Sequence, residues 1–209
     1  MAIDWYRKTT WTPEEENEFF SKLKRSQKFN RPQYLRIQAS TLNDTNDTEL
    51  LIVALKLVEK YFNEYPDDKF DRSPAFKLKG DIYYKMGKYD SALENYKNAI
   101  DFERIYPQIK TDAYLNYSEL VIQLNKTDLF GNVEILLLKR AKELDFPKDK
   151  YVKNAILSII YKHKNNMEKS DYYKTLAEEA ANAENSDFRW HKKSGLVNKR
   201  NKLLDKLME

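Results

Sequence analysis

The chain has 209 residues, 41% of them hydrophobic and 33% charged, with only 4 Gly and 6 Pro. That composition predicts a helix-rich chain with a real core and excludes a disordered one. With no Cys, disulfides and thiolate metal sites are excluded. The opening Met-Ala-Ile-Asp-Trp-Tyr-Arg lacks the apolar run of a signal peptide. The longest apolar run, Leu50 to Leu55, is far below the ~20 residues that span a bilayer. A cytoplasmic protein with no membrane partner is therefore expected. The net charge of +4 is uneven, since residues 188–209 carry seven Lys and Arg against Asp205 and Glu209, which leaves the body near neutral.

The first segment is densely aromatic, with Trp5, Tyr6, Trp11, Phe19, Phe20 and Leu23. Two readings stand: these rings cap the first helices, or they form an exposed patch for a partner or a nucleobase. Thr12-Pro13-Glu14-Glu15 supplies an N-cap, a first-turn Pro and acids on the positive helix end, predicting a helix over 13–27. Further helices are predicted over 31–43 and 47–64, the second started by Asn46 to Glu49.

Ser73-Pro74 starts a helix over 73–86, and 89–105 follows it. This stretch carries Phe76, Leu78, Gly80, Tyr83, Gly87, Tyr89, Ala92, Tyr96 and Ala99, closed by Pro107. Gly80 in mid-helix costs about 1 kcal/mol against Ala, a cost that a close helix crossing offsets. Gly87 suits a helix C-terminus. The pattern resembles a tetratricopeptide (TPR) repeat, with Lys79 standing where the family usually has Leu. The segment Trp5 to Ala39 also resembles bacterial TPR-like proteins of uncharacterised activity.

A single repeat cannot bury its own faces, so copies are expected. Ala113-Tyr114 with Ser118, Glu119 and Leu120 repeats Ala75-Phe76 with Gly80, Asp81 and Ile82. It predicts helices over 110–125 and 131–145, the latter carrying Val133, Leu137, Leu138 and Ala141. Ser158, Tyr161, Asn165, Ser170 and Ala177 repeat Gly80, Tyr83, Gly87, Ala92 and Ala99, predicting helices over 149–164 and 167–184. Upstream, Leu35, Ile37 and Ala39 repeat Phe76, Leu78 and Gly80. A last helix is predicted over 187–208, with Leu196, Leu203 and Leu207 on one face and Gly195 weakening its start.

The expected fold is all-α, a TPR-like helical-hairpin solenoid of about four helical pairs with N- and C-terminal capping helices. HEAT-like pairs are the alternative architecture. As one domain it divides into an aromatic cap at 1–30, helical pairs over 31–184 and a basic helix at 185–209.

The resemblance implies a bacterial protein- or peptide-binding scaffold or adaptor, in one form sequestering a dedicated partner. It places the first helix of each pair along a concave groove. Alignment puts Arg36, Lys77, Asp81, Tyr84, Lys85, Glu119, Gln123 and Lys162 there as partner-binding candidates. Lys77 sits where chaperone-binding members carry a carboxylate-clamping Lys. Asp81, where an Asn is usual, would repel such a carboxylate. A solvated helix face explains the same residues equally well. Nucleic-acid or other polyanion binding through Arg189, Lys192, Lys193, Lys199, Arg200 and Lys202 is the alternative function.

Catalysis is not expected. His163 and His191 stand far apart, so no metal site is expected. The isolated glycines form no phosphate-binding loop, and no cofactor is expected.

Overall fold

The computed structural model describes residues 4–140 and 146–209. Among the described residues are ten α-helices in consecutive antiparallel pairs, the arrangement of a TPR-like array, and no strand. The chain divides into two compact units, Met1–Ala113 and Tyr114–Glu209.

The first unit holds α1 (Pro13–Arg25), α2 (Arg31–Asp44), α3 (Thr48–Glu64), α4 (Arg72–Lys85) and α5 (Tyr89–Ile105). The predicted starts hold because their chemistry is local. Glu15 N–H donates to Thr12 Oγ1 (3.3 Å) and Thr12 N–H to Glu15 Oε2 (2.8 Å), a reciprocal cap on α1. Asp47 accepts from the Glu49 and Leu50 amides to start α3. Phe19 of α1 is fully buried among Trp5, Trp11 and Phe20, all within ring contact, and the cluster continues into Leu35, Leu42 and Val58. The buried amide of Gln38 in α2 holds the segment before α1. Lys8 N–H donates to its Oε1 (2.9 Å) and its Nε2 donates to the Lys8 carbonyl (2.7 Å).

In the α4–α5 hairpin, a Cβ added to Gly80 would lie 2.5 Å from Tyr96 Cε1. The ring of Tyr96 thus occupies the space that any side chain at position 80 would need. Ala75, Ala92 and Ala99 are fully buried at the same crossing. Buried Glu103 ties the far end together, accepting from the Ser73 hydroxyl (2.8 Å) and from the Thr111 amide (3.0 Å) and hydroxyl (2.6 Å).

The second unit holds α6 (Ala113–Gln123) from its second residue, α7 (Phe130–Lys139), α8 (Pro147–His163), α9 (Met167–Ala181) and α10 (Lys202–Met208). The expected continuation of α7 through Ala141 to residue 145 lies outside the described residues, as do residues 1–3 of the aromatic cap. Ser158 and Ser170 replace Gly80 and Ala92 at the α8–α9 crossing, where the Ser170 hydroxyl donates to the Ser158 carbonyl (3.0 Å). The repeat also shows in the turns. Asn46, Gly87, Asn125 and Asn165 each adopt a left-handed conformation just after the first helix of a pair.

The predicted helix over 187–208 is corrected. Residues 182–201 form turns and bends, and α10 begins only at Lys202. Gly195 has φ +65°, and an added Cβ would lie 2.4 Å from Phe146, so the backbone there is held against that ring in a non-helical conformation. Phe146 also stacks on Phe188 (4.3 Å), and Lys148 N–H donates to the Gly195 carbonyl (2.9 Å). Asn201 then caps α10 through the Leu203 and Leu204 amides. The shared face expected for Leu196, Leu203 and Leu207 does not form: Leu204 and Met208 are buried, while Leu203 and Leu207 are exposed.

Candidate functional site

The groove candidates of the first unit lie on α2 and α4, which pack against each other. Arg36 on α2 reaches Asp71, just before α4, at 2.5 Å. Lys77 lies between Asp81 (2.8 Å) and Asp112 (3.4 Å). Burial alone would lower the Lys77 pKa, but the two carboxylates outweigh it and raise it above the ordinary value. Asp81 is shifted upward by burial, against the pull of Lys77 and of the Tyr96 hydroxyl (3.0 Å). Lys85 Nζ donates to the Asn43 carbonyl in the last turn of α2 (2.6 Å). Asn43 itself is buried, and its side-chain oxygen has no hydrogen-bond partner. Tyr84 is exposed, its ring 5.6 Å from that of Tyr89.

A half-exposed face with alternating charge and a bordering tyrosine results. An incoming carboxylate has to compete with Asp81 for Lys77, whereas amide and hydroxyl groups meet acceptors and donors together.

In the second unit Glu119 faces the tail. Asn201 Nδ2 donates to its carboxylate at 2.5 Å, and burial raises its pKa despite that bond. Gln123 is exposed at the end of α6, and Lys162 is half-buried on α8. Tyr151 of α8 donates to Asp205 (2.8 Å) and accepts from Asn201 N–H (3.1 Å), and burial first, then Asp205, push its phenol up to about 12.

The basic candidates divide. Arg200 makes a fork to Glu178 (2.8 and 2.5 Å) and also bonds Asp205 (3.0 Å). Those bonds hold Glu178 below the usual carboxylate range. Burial pushes Asp205 up, but Arg200 and Tyr151 outweigh it and hold it low. Arg189 lies over the ring of Trp190 (4.8 Å), which is 80% exposed. Lys193 Nζ donates to the Glu184 carbonyl (3.0 Å), and Lys192, Lys199 and Lys202 are exposed.

Sequence reading found these cations but not their partners Asp71, Asp112 and Glu178, which come from other elements. Asn201 offered a usable signal, an Asn just before a short apolar run, which marks a helix start. Among the described residues no group of His, Asp or Glu is placed to hold a metal ion, and no helix is long and apolar enough to cross a membrane.

Hairpins closed by a small residue at the crossing and a left-handed turn define the TPR-like class. Residues 80–109 match the family model described as TPR repeat and constitute such a repeat. No curated protein matches the chain, and no solved structure does. A TPR repeat implies a protein-interaction scaffold in general and belongs to a usually non-catalytic family.

Proposed function

We propose that this protein is a scaffold or adaptor that binds a protein or peptide along the first helices of its hairpins. The TPR repeat at residues 80–109 carries the reading, because α4 of that hairpin bears Asp81, Tyr84 and Lys85 on a face that is half exposed. Partner capture by the purified chain, followed by cross-linking mass spectrometry, tests it. Cross-links at Lys77 and Lys85, with binding weakened by Lys85→Ala and Tyr84→Ala, are expected. Binding unchanged in both variants overturns the assignment of this face.

One observation favours a second reading, polyanion binding at the tail: exposed Trp190 with Arg189 stacked on it, next to Lys192 and Lys193. Arg200 adds little there because Glu178 and Asp205 already neutralise it. Labelled single-stranded oligonucleotides titrated at two salt concentrations separate the readings, since phosphate contacts give steep salt dependence. No binding at low salt removes the second.

A further inference from the structure

The first-helix face of α8 in the second unit is built unlike that of α4. Tyr151, Ala155, Ile159 and Lys162 recur at helical spacing and share one side of α8. Ala155 is fully buried and Ile159 is 8% exposed. On α6, Leu115 and Ile122 share the side of Glu119 and are buried as well. The chain's own tail lies on this side. α10 packs against α8, the Tyr151 hydroxyl bonds Asn201 and Asp205, and Glu119 of α6 receives Asn201. α10 is a seven-residue helix that buries only Leu204 and Met208, and the turns of residues 182–201 precede it.

We propose that this α6–α8 face is a binding site for a short amphipathic helix, and that α10 occupies it in cis as a displaceable stand-in. The inference rests on the reading that the first-helix faces bind partners, and it adds the partner's chemistry. α10 itself shows what fits. An arginine meets the Glu178 carboxylate, an Asn N-cap meets Glu119 and Tyr151, and apolar side chains follow three and seven residues after that cap. Arg200 bonds Glu178 of α9 and Asp205 of α10 itself, whereas Glu119 meets the neutral amide of Asn201. A partner helix with a second cation placed to meet Glu119 therefore gains over α10.

α10 packs on α8 as α4 packs on α2, in the place that the first helix of a next hairpin would take. Two features make it displaceable from that place. The polar contacts converge on the N-terminal end of α10, so its position is set by a few hydrogen bonds and two side chains. The preceding segment is anchored separately, at Phe146, Phe188 and Gly195, so α10 can leave without unravelling the chain before it.

The test uses the full chain and a fluorescently labelled peptide of residues 198–209. If α10 is docked in nine molecules of ten, only the remaining tenth is competent, and peptide affinity is weakened about tenfold. The double variant Leu204→Asp/Met208→Asp undocks α10 and should bind the peptide about tenfold tighter than the parent. Hydrogen exchange should show α10 unprotected and α8 and α9 still protected. A peptide carrying the same two aspartates should not bind. Arg200→Ala, a milder change, should give a smaller gain in the same direction.

Undocking without any gain in peptide binding overturns the proposal. So does loss of protection in α8 and α9 together with α10, which would make α10 a part of the core. A parent that exchanges α10 between two copies, seen as a concentration-dependent dimer, overturns the assignment in cis. Because the probe is the chain's own segment, failure here leaves the face bearing Lys77 and Lys85 untouched, and failure of partner capture there leaves this assay untouched.

Discussion

In the first unit the helix face holding Arg36, Lys77 and Lys85 is polar, and each cation is already matched to a carboxylate or a carbonyl. In the second unit the corresponding face of α8 is apolar in its first half, and the tail lies over it. One repeat plan has thus produced two surfaces with different obstacles to a ligand. Binding at the first requires exchange of ion pairs, which is sensitive to charge and salt. If the tail is a displaceable stand-in, binding at the second requires removal of a helix, which is sensitive to apolar contact. The lesson concerns position rather than residue type, because Asp81 and Glu119 fill equivalent places and differ only in what meets them.

The largest expected effect comes from Gly80→Leu, which strikes the hairpin bearing the first surface. Overpacking of a filled core costs about 1–3 kcal/mol, and the overlap with Tyr96 at 2.5 Å puts this site at the upper end. A thermal melt should show a lowered transition, and a melt superimposable on the parent's would remove the tight α4–α5 crossing from the account.

Tyr151→Phe addresses the second surface. It leaves the ring in place and removes the bonds to Asp205 and Asn201, at a cost of about 1–2 kcal/mol. Faster amide exchange confined to α10 is expected. Equal exchange in α10 would show that Leu204 and Met208 alone fix its position.

Acid should act on two sets of carboxylates with opposite sign. Glu178 and Asp205 are held below their ordinary values of 4.5 and 3.8, so their contribution is complete above those values and is lost as pH falls through the folded ones. Asp81 and Glu119 are raised, so they disfavour the folded state at neutral pH, and that penalty is relieved as they take up protons on the way down. Methyl resonances of Leu204 and Met208 should therefore hold steady to about pH 4.5 and report undocking below it. Undocking that begins near neutral pH would contradict the Arg200 cluster as the tail's main tie.

Glu119→Gln should have the smallest effect, within about 0.5 kcal/mol and tending to stabilise. The amide oxygen still accepts from Asn201, and no buried charge remains. Clear destabilisation in a denaturant titration would mean that the Glu119 charge is needed where it sits.

Most of the fold was legible because its signals are local. Caps at Thr12 and Asp47, the small residue at Gly80 and the left-handed turn residues at spacings of about forty all lie within one hairpin. The tail was misread for the opposite reason. Three leucines at helical spacing suggested one long helix, but the contact of Gly195 with Phe146 joins residues far apart in sequence, and no local pattern announces it. The candidate face was legible as a set of cations on the first helices. Their neutralisation was not, since Asp71, Asp112 and the Asn43 carbonyl are brought in by neighbouring elements.

The amide of Gln38 touches only the main chain of Lys8, once as acceptor and once as donor. Any non-proline residue at position 8 presents the same two groups, so this pair of bonds makes no demand on the side chain there, whose own tie is the ion pair of Lys8 with Glu18 (2.7 Å), while position 38 is held to an amide. Gln38→Glu breaks this symmetry, because a carboxylate still receives the Lys8 N–H but confronts its carbonyl with a second acceptor. The strap of residues 4–12 is therefore fastened by a lock that reads backbone geometry and ignores the letter written on it.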